Sequence, residues 1–238
     1  MISYDDVIDR LVCLARKKTG YVCLVNVHML IEACDDPFFS RVVNQATLAL
    51  PDGKPVAKSI SLLHGLDQER IAGMDVFPSL LIRCHSEHLK VFILGSSDHI
   101  LSLIKKKTIV DYPGLSLDCF SPPFGDFSDS DKNKIIDNIK KASPNLVIVA
   151  LGCPKQEKWM YENHKLVDAC LVGLGGALAV YSCSVSRSPK FLQDAGLEWF
   201  YRLCQEPRRL WRRYFYTNLK FSILIIGQFV RTLFYKLK

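Results

Sequence analysis

The chain has 238 residues, 49% hydrophobic and 23% charged, with a formal net charge of +7. That is enough apolar material for one substantial core, and it excludes a compositionally disordered chain. Nine lysines and arginines but only two acids fall between Ala195 and Lys238, so this segment alone carries +7 and the rest is electrically balanced.

From the start, Met1-Ile-Ser-Tyr-Asp-Asp is acidic, and the apolar positions that follow are interrupted by Asp9, Arg10 and Arg16. This is unlike a secretory leader and predicts a cytoplasmic body. Buried β-rich runs are predicted at Tyr21–Val25, Thr47–Leu50, Lys90–Leu94, Leu115–Cys119, Leu146–Leu151 and Ala169–Val172. Helical patterns lie between them at Asp36–Gln45, Gly73–His88, His99–Lys107, Asp131–Ala142 and Gln156–His164. Such alternation predicts an α/β, Rossmann-like domain over residues 1–195: a mostly parallel sheet with helices on both faces. Ser121–Ser130 is the most loop-like stretch, and Asp194-Ala-Gly196 is the expected seam before a C-terminal appendage, residues 196–238. Nine scattered cysteines, with no Cys-x-x-Cys pair, predict buried reduced thiols in place of disulfides or zinc.

In parallel sheets ligands bind at the carboxyl ends of strands, so the residues just after each run are the first candidates. Asn26-Val-His28, Pro51-Asp52-Gly53, Gly152-Cys-Pro-Lys-Gln-Glu157 and Gly173-Leu-Gly-Gly-Ala177 all open onto that edge. Asp52 is placed for general-base use if burial raises its pKa; Pro-Asp-Gly is equally a good turn. At the fifth run, free backbone N–H groups and Lys155 could hold a phosphate while Gln156 offers its amide to a sugar or base, or the segment simply starts a helix. Gly173 and Gly175 lack the third glycine of a dinucleotide fingerprint, which argues against a nicotinamide cofactor and leaves close backbone approach by another nucleotide. Arg70 suits bidentate contact with a diphosphate, with Asp75 to orient it, or it is a surface arginine. His85-x-x-His88, Asp35-Asp36 and Asp129-Ser-Asp131 read as helix faces, helix starts and loops before they read as metal sites.

The appendage is basic and aromatic and ends in an apolar stripe: Leu219, Ile223, Ile226, Val230, Leu233 and Leu237 recur at steps of three and four. The uninterrupted apolar run Phe221–Ile226 is far shorter than the roughly 20 residues a span needs, so a helix lying in a membrane interface is expected. Packing of the stripe on the domain or on a second copy is the other reading. Apolar residues beside the arginines favour lipid over nucleic acid.

Taken together, Asn26-Val-His-Met-Leu, Leu50-Pro-Asp-Gly53, Glu69-Arg-Ile-Ala-Gly-Met-Asp75, Val91-Phe-Ile-Leu-Gly95, Leu151-Gly-Cys-Pro-Lys-Gln-Glu157, Gly173-Leu-Gly-Gly176 and the run from Glu198-Trp to Arg213 resemble the WecG/TagA/CpsF family of bacterial glycosyltransferases. The resemblance implies inverting transfer of an N-acetylhexosamine-type sugar from a UDP donor to a polyprenyl-diphosphate-linked sugar, with no metal or cofactor. By position it assigns Asp52 as base, Arg70 and Gln156 to substrate, and Arg202, Arg209 and Arg212 to the diphosphate. It departs from the family pattern at Leu24, Ala179 and Ser188. The implied place is the inner face of the cell membrane. A non-catalytic binding module on the same fold is the alternative.

Overall fold

The computed structural model describes residues 3–236, without the side chains of Arg209 and residues 233–236. Six parallel strands form one sheet: β1 (Tyr21–Val25), β2 (Leu48–Pro51), β3 (Val91–Gly95), β4 (Leu117–Phe120), β5 (Leu146–Ala150) and β6 (Cys170–Gly173), in the order β2-β1-β6-β5-β3-β4. Every predicted strand is present within two residues at each end.

Both faces of the sheet are covered, which is why the strands read as continuous apolar runs. On one face Val22, Leu24, Ile93, Ile148 and Val172 pack against α1 (Tyr4–Lys17), α5 (Gly73–Ser86), α6 (Asp98–Asp111) and α9 (Gly175–Tyr181). On the other, the alternate residues Cys23, Val25, Leu94, Val149 and Leu171 pack against α2 (Val27–Asp35), α3 (Pro37–Asn44), α7 (Asp129–Ala142) and α8 (Lys155–Asn163). The side-chain period of two assigns neighbouring strand residues to opposite cores.

Local chemistry sets several boundaries. Asp36 accepts the N–H groups of Phe38 and Phe39 and starts α3 with Pro37 in its first turn. The loop from Ser121 is shorter than expected, because Ser128 and Asp131 form a reciprocal capping box that begins α7 at Asp129. These two acids of the Asp129-Ser-Asp131 motif are thereby used in a helix start. Of the nine free thiols, Cys23, Cys84 and Cys170 are buried, but Cys13, Cys34, Cys183 and Cys204 are exposed, so the expectation of buried thiols holds for only part of the set.

After α4 (Lys54–His64) and α10 (Lys190–Ala195), Gly196 closes α10 in the left-handed region at φ 77°. The appendage follows as α11 (Glu198–Gln205) and a 30-residue helix, α12 (Pro207–Lys236). It is docked on the α/β body, with Leu210 and Thr217 buried and with Tyr216 and Lys220 both bonded to Asp35 at the end of α2. On the opposite face Phe215, Leu219, Ile223, Ile226 and Val230 are exposed. Leu233 and Leu237, the last members of the expected stripe, lie outside the described side chains. Among the described residues, no helix is long and apolar enough to cross a membrane.

Candidate active site

A cavity of about 570 Å³ opens where β1, β2, β5 and β6 end and where α11 and α12 cross over them. Adjacency of these four strands in the sheet brings Asn26, Asp52, Gly152, Gln156, Gly173 and Gly175 to one wall. Leu24 and Ala179, two of the positions that depart from the family pattern, also line it.

Asp52 follows β2, and its backbone N–H continues the ladder to the carbonyl of Val25 at 2.9 Å. The N–H of Ile71 bonds to the Pro51 carbonyl at 2.9 Å, which carries the preceding loop back to the strand end and sets Gly73 beside Asp52. The Gly73 amide donates to the Asp52 carboxyl. Half-buried at the cavity wall, Asp52 is pushed up to about 6, first by desolvation and then by the neighbouring Glu198 carboxylate; the Gly73 amide, Arg202 and Arg70 pull the other way. It is ionised above that pH and so able to take a proton near neutrality.

Asn26 caps α2, its Oδ1 accepting from the Met29 N–H at 3.1 Å, and still lines the cavity. Gln156 lies buried below Gly173 and Gly175: a Cβ on Gly173 would stand 3.0 Å from its Nε2, and one on Gly175 2.9 Å from its Oε1. The glycines therefore make room for Gln156 itself, a use that the fingerprint reading did not foresee. Gly176 is similarly roofed by Arg202, whose guanidinium would be 3.6 Å from an added Cβ.

Several expected site residues take other positions. Arg70 and Asp75 stand behind the cavity wall in an ionic cluster: Arg70 Nη1 meets Glu198 Oε2 at 2.6 Å, and Asp75 is shared between Arg70 at 3.5 Å and Arg187 at 2.6 Å. Glu198, arriving from the appendage, supplies the closer anion and claims the guanidinium. Lys155 turns aside from the cavity, bonding the Gly125 carbonyl and lying 3.5 Å from the centre of the Phe127 ring. Arg212 is exposed with its guanidinium 5.3 Å from the Trp211 ring centre. Helical periodicity explains this, because Leu210, Arg213 and Thr217 share the body-facing side of α12 and Arg212 is rotated off it. The side chain of Arg209 lies outside the described residues.

Residues with no role assigned from sequence also line the cavity: His28, Glu198, Trp199, Arg213 and Tyr214. Burial, and then Arg213, lowers His28 to about 4, which keeps it neutral at physiological pH. Trp199 meets Tyr214 edge to face at 6.0 Å and so fastens α11 to α12 over the opening. Glu198 and Arg213 were visible as the two ends of the basic aromatic motif, but only the packing of α11 and α12 on the strand ends distinguishes them from their neighbours.

An α/β fold with a carboxylate of raised pKa at the strand ends, faced by guanidinium groups from a closing helix pair, has the equipment of a group-transfer site acting on an anionic substrate. The sequence pattern of the glycosyl transferase WecG/TagA/CpsF family matches residues 1–234. A protein of Bacillus spizizenii named N-acetylglucosaminyldiphosphoundecaprenol N-acetyl-beta-D-mannosaminyltransferase is 34% identical over 201 residues, which is 84% of this chain and 76% of that one. Its namesake in Bacillus subtilis is 33% identical over 199 residues, 83% of this chain and 76% of that one. The chain belongs to the WecG/TagA/CpsF family of glycosyltransferases.

Proposed function

We propose that this chain transfers an N-acetylhexosamine, of the N-acetylmannosamine type, from a UDP-sugar to a sugar carried on polyprenyl diphosphate, with inversion at the anomeric carbon. The observation that carries this reading is the Asp52 carboxyl, raised to about 6 and facing a cavity it shares with Gln156, Arg202 and Arg213. The related proteins' names, which specify a lipid-diphosphate-linked acceptor, supply the substrate class.

In the proposed step the ionised Asp52 takes the proton of the acceptor hydroxyl as its oxygen bonds to the anomeric carbon. The bond from that carbon to the UDP oxygen breaks, and UDP departs with the electron pair. Arg202, above Gly176, and Arg213, beside His28, present guanidinium groups from α11 and α12 to the negative charge that grows on the leaving diphosphate. Asn26 and Gln156 orient the sugar. Arg70 acts from behind the wall by holding Glu198.

The exposed face of α12 supports attachment to the inner surface of the cell membrane, where a polyprenyl acceptor is confined. Incubation of the chain with a panel of UDP-sugars and lipid-diphosphate-linked N-acetylglucosamine, with products read by mass spectrometry, tests the reading. A mass increment of one N-acetylhexosamine on the acceptor is expected; no transfer from any UDP-sugar would overturn it.

A further inference from the structure

Gln156 and its neighbour Glu157 form a polar pair inside the apolar layer below the cavity. Gln156 is 7% exposed and Glu157 fully buried, and Gln156 Nε2 donates to Glu157 Oε1 at 2.6 Å. The other end of the amide, Gln156 Oε1, has no hydrogen-bond partner in the protein and lies under Gly175, at the cavity wall. A glutamine amide has one accepting and one donating end, and an enclosed site fixes which of the two faces a ligand. Here the donating end is committed to Glu157, and a buried carbonyl oxygen is left at the cavity.

We propose that Glu157 is a positioning residue that holds the Gln156 amide in one orientation, so that Gln156 meets the substrate's sugar as a hydrogen-bond acceptor and selects a hydroxyl or amide N–H there. This rests on the assignment of the cavity to a nucleotide-sugar and adds to it the polarity of one contact. Burial raises the Glu157 carboxyl above the usual range, which favours its neutral form. In this arrangement Glu157 Oε1 is the acceptor of the Gln156 N–H, and a glutamine side chain in its place can present its own Oε1 in the same way. Space at Gly173 and Gly175 is filled by this amide, so the pair has no room to turn freely.

The test uses the full chain with UDP-N-acetylmannosamine and lipid-diphosphate-linked N-acetylglucosamine. Glu157→Gln is expected to keep kcat/KM within about threefold, whereas Glu157→Leu lowers it about tenfold or more, the loss expected of one misdirected buried hydrogen bond. Gln156→Glu is expected to lose activity, and the exchanged pair Gln156→Glu with Glu157→Gln to regain it, because the amide and the carboxyl then trade places: the amide donates from the second position while the carboxyl at the first still presents an acceptor to the cavity. A folded Glu157→Leu variant with wild-type kcat/KM, or an exchanged pair no better than Gln156→Glu alone, would overturn the proposal; the second comparison decides the matter if Glu157→Leu does not fold. Should the wild-type chain transfer none of this sugar, the substrate assignment falls, and the orientation is read from the Gln156 side-chain amide by ¹⁵N NMR. Those protons are expected to be protected from exchange in the wild type and in Glu157→Gln but unprotected in Glu157→Leu, and equal protection in all three would overturn the proposal.

Discussion

Arg70 Nη1 donates to Glu198 Oε2 at 2.6 Å and so ties the loop ahead of α5 to the first turn of α11. Both side chains are mostly buried, and both act electrostatically on Asp52, Glu198 raising its pKa and Arg70 lowering it. Loss of Glu198 therefore has two effects. Replacement by alanine leaves a partly buried guanidinium without its nearest anion, which is expected to cost about 1–3 kcal/mol of stability. It also removes the carboxylate that raises Asp52 and frees Arg70 to lower it. The acid limb of the kcat/KM profile should then move below its wild-type position; a limb unmoved in Glu198→Ala would separate this pair from the base.

Asp52 sets the wild-type limb. Its carboxyl is raised from 3.8 to about 6, chiefly by desolvation, so kcat/KM should fall tenfold per pH unit below about 6 and level off above it. The sign for stability is opposite. A carboxyl with a raised pKa binds its proton more tightly in the folded state, so its contribution is fully present below about pH 3.8 and is lost as pH rises through about 6. Asp52→Asn removes the cost of a buried charge and can retain the Gly73 hydrogen bond. It should abolish transfer and stabilise the fold at pH 7.5 by about 1–3 kcal/mol, with little change at pH 4, as read by denaturant titration at both pH values.

Strands and the edge carrying Asp52, Asn26 and Gln156 were legible in the sequence because buried parallel strands are unbroken apolar runs and the residues after them must gather at one end. Charge partners were not legible. Arg70, Asp75 and Lys155 have the right chemistry for a diphosphate, yet Glu198, Arg187 and Gly125 reach them from segments that sequence spacing does not place. Asp52 faces the same difficulty in reverse: Pro-Asp-Gly reads as a turn until the Ile71 and Gly73 amides fix it against the cavity. On α12 the apolar stripe was readable from its period, but the choice between Arg212 and Arg213 depends on the side that docks against α2.

Gly175 supplies a test of packing under the cavity. An alanine there would bring its Cβ within 2.9 Å of Gln156 Oε1 and 3.4 Å of the Ala150 Cα, and the backbone of β5 cannot yield as a side chain can. The expected cost is about 1–3 kcal/mol in stability together with displacement of the Gln156 amide. Turnover should fall more than tenfold while the circular dichroism spectrum is kept. Gly65, where an added Cβ meets nothing within 4 Å but φ is 68°, is a control in which only backbone strain acts. Gly65→Ala should lower the melting temperature slightly and leave kcat/KM unchanged.

The exposed face of α12 carries the last prediction. Phe215, Leu219, Ile223 and Ile226 are 71%, 54%, 62% and 64% exposed, on the side opposite the buried Leu210 and Thr217. Each large apolar side chain moved from water into the acyl boundary contributes about 1 kcal/mol or more, so three together give at least a hundredfold in partitioning. The variant Leu219→Glu, Ile223→Glu and Ile226→Glu should remain folded, because none of these positions packs in either core. It should no longer co-sediment with anionic vesicles, and transfer to a membrane-embedded acceptor should fall at least tenfold. Transfer to a short-chain, water-soluble lipid diphosphate should be nearly unaffected, since Arg202 and Arg213 still face the cavity. Equal loss on both acceptors would show instead that this face supports the catalytic arrangement from behind and does not bring the enzyme to lipid.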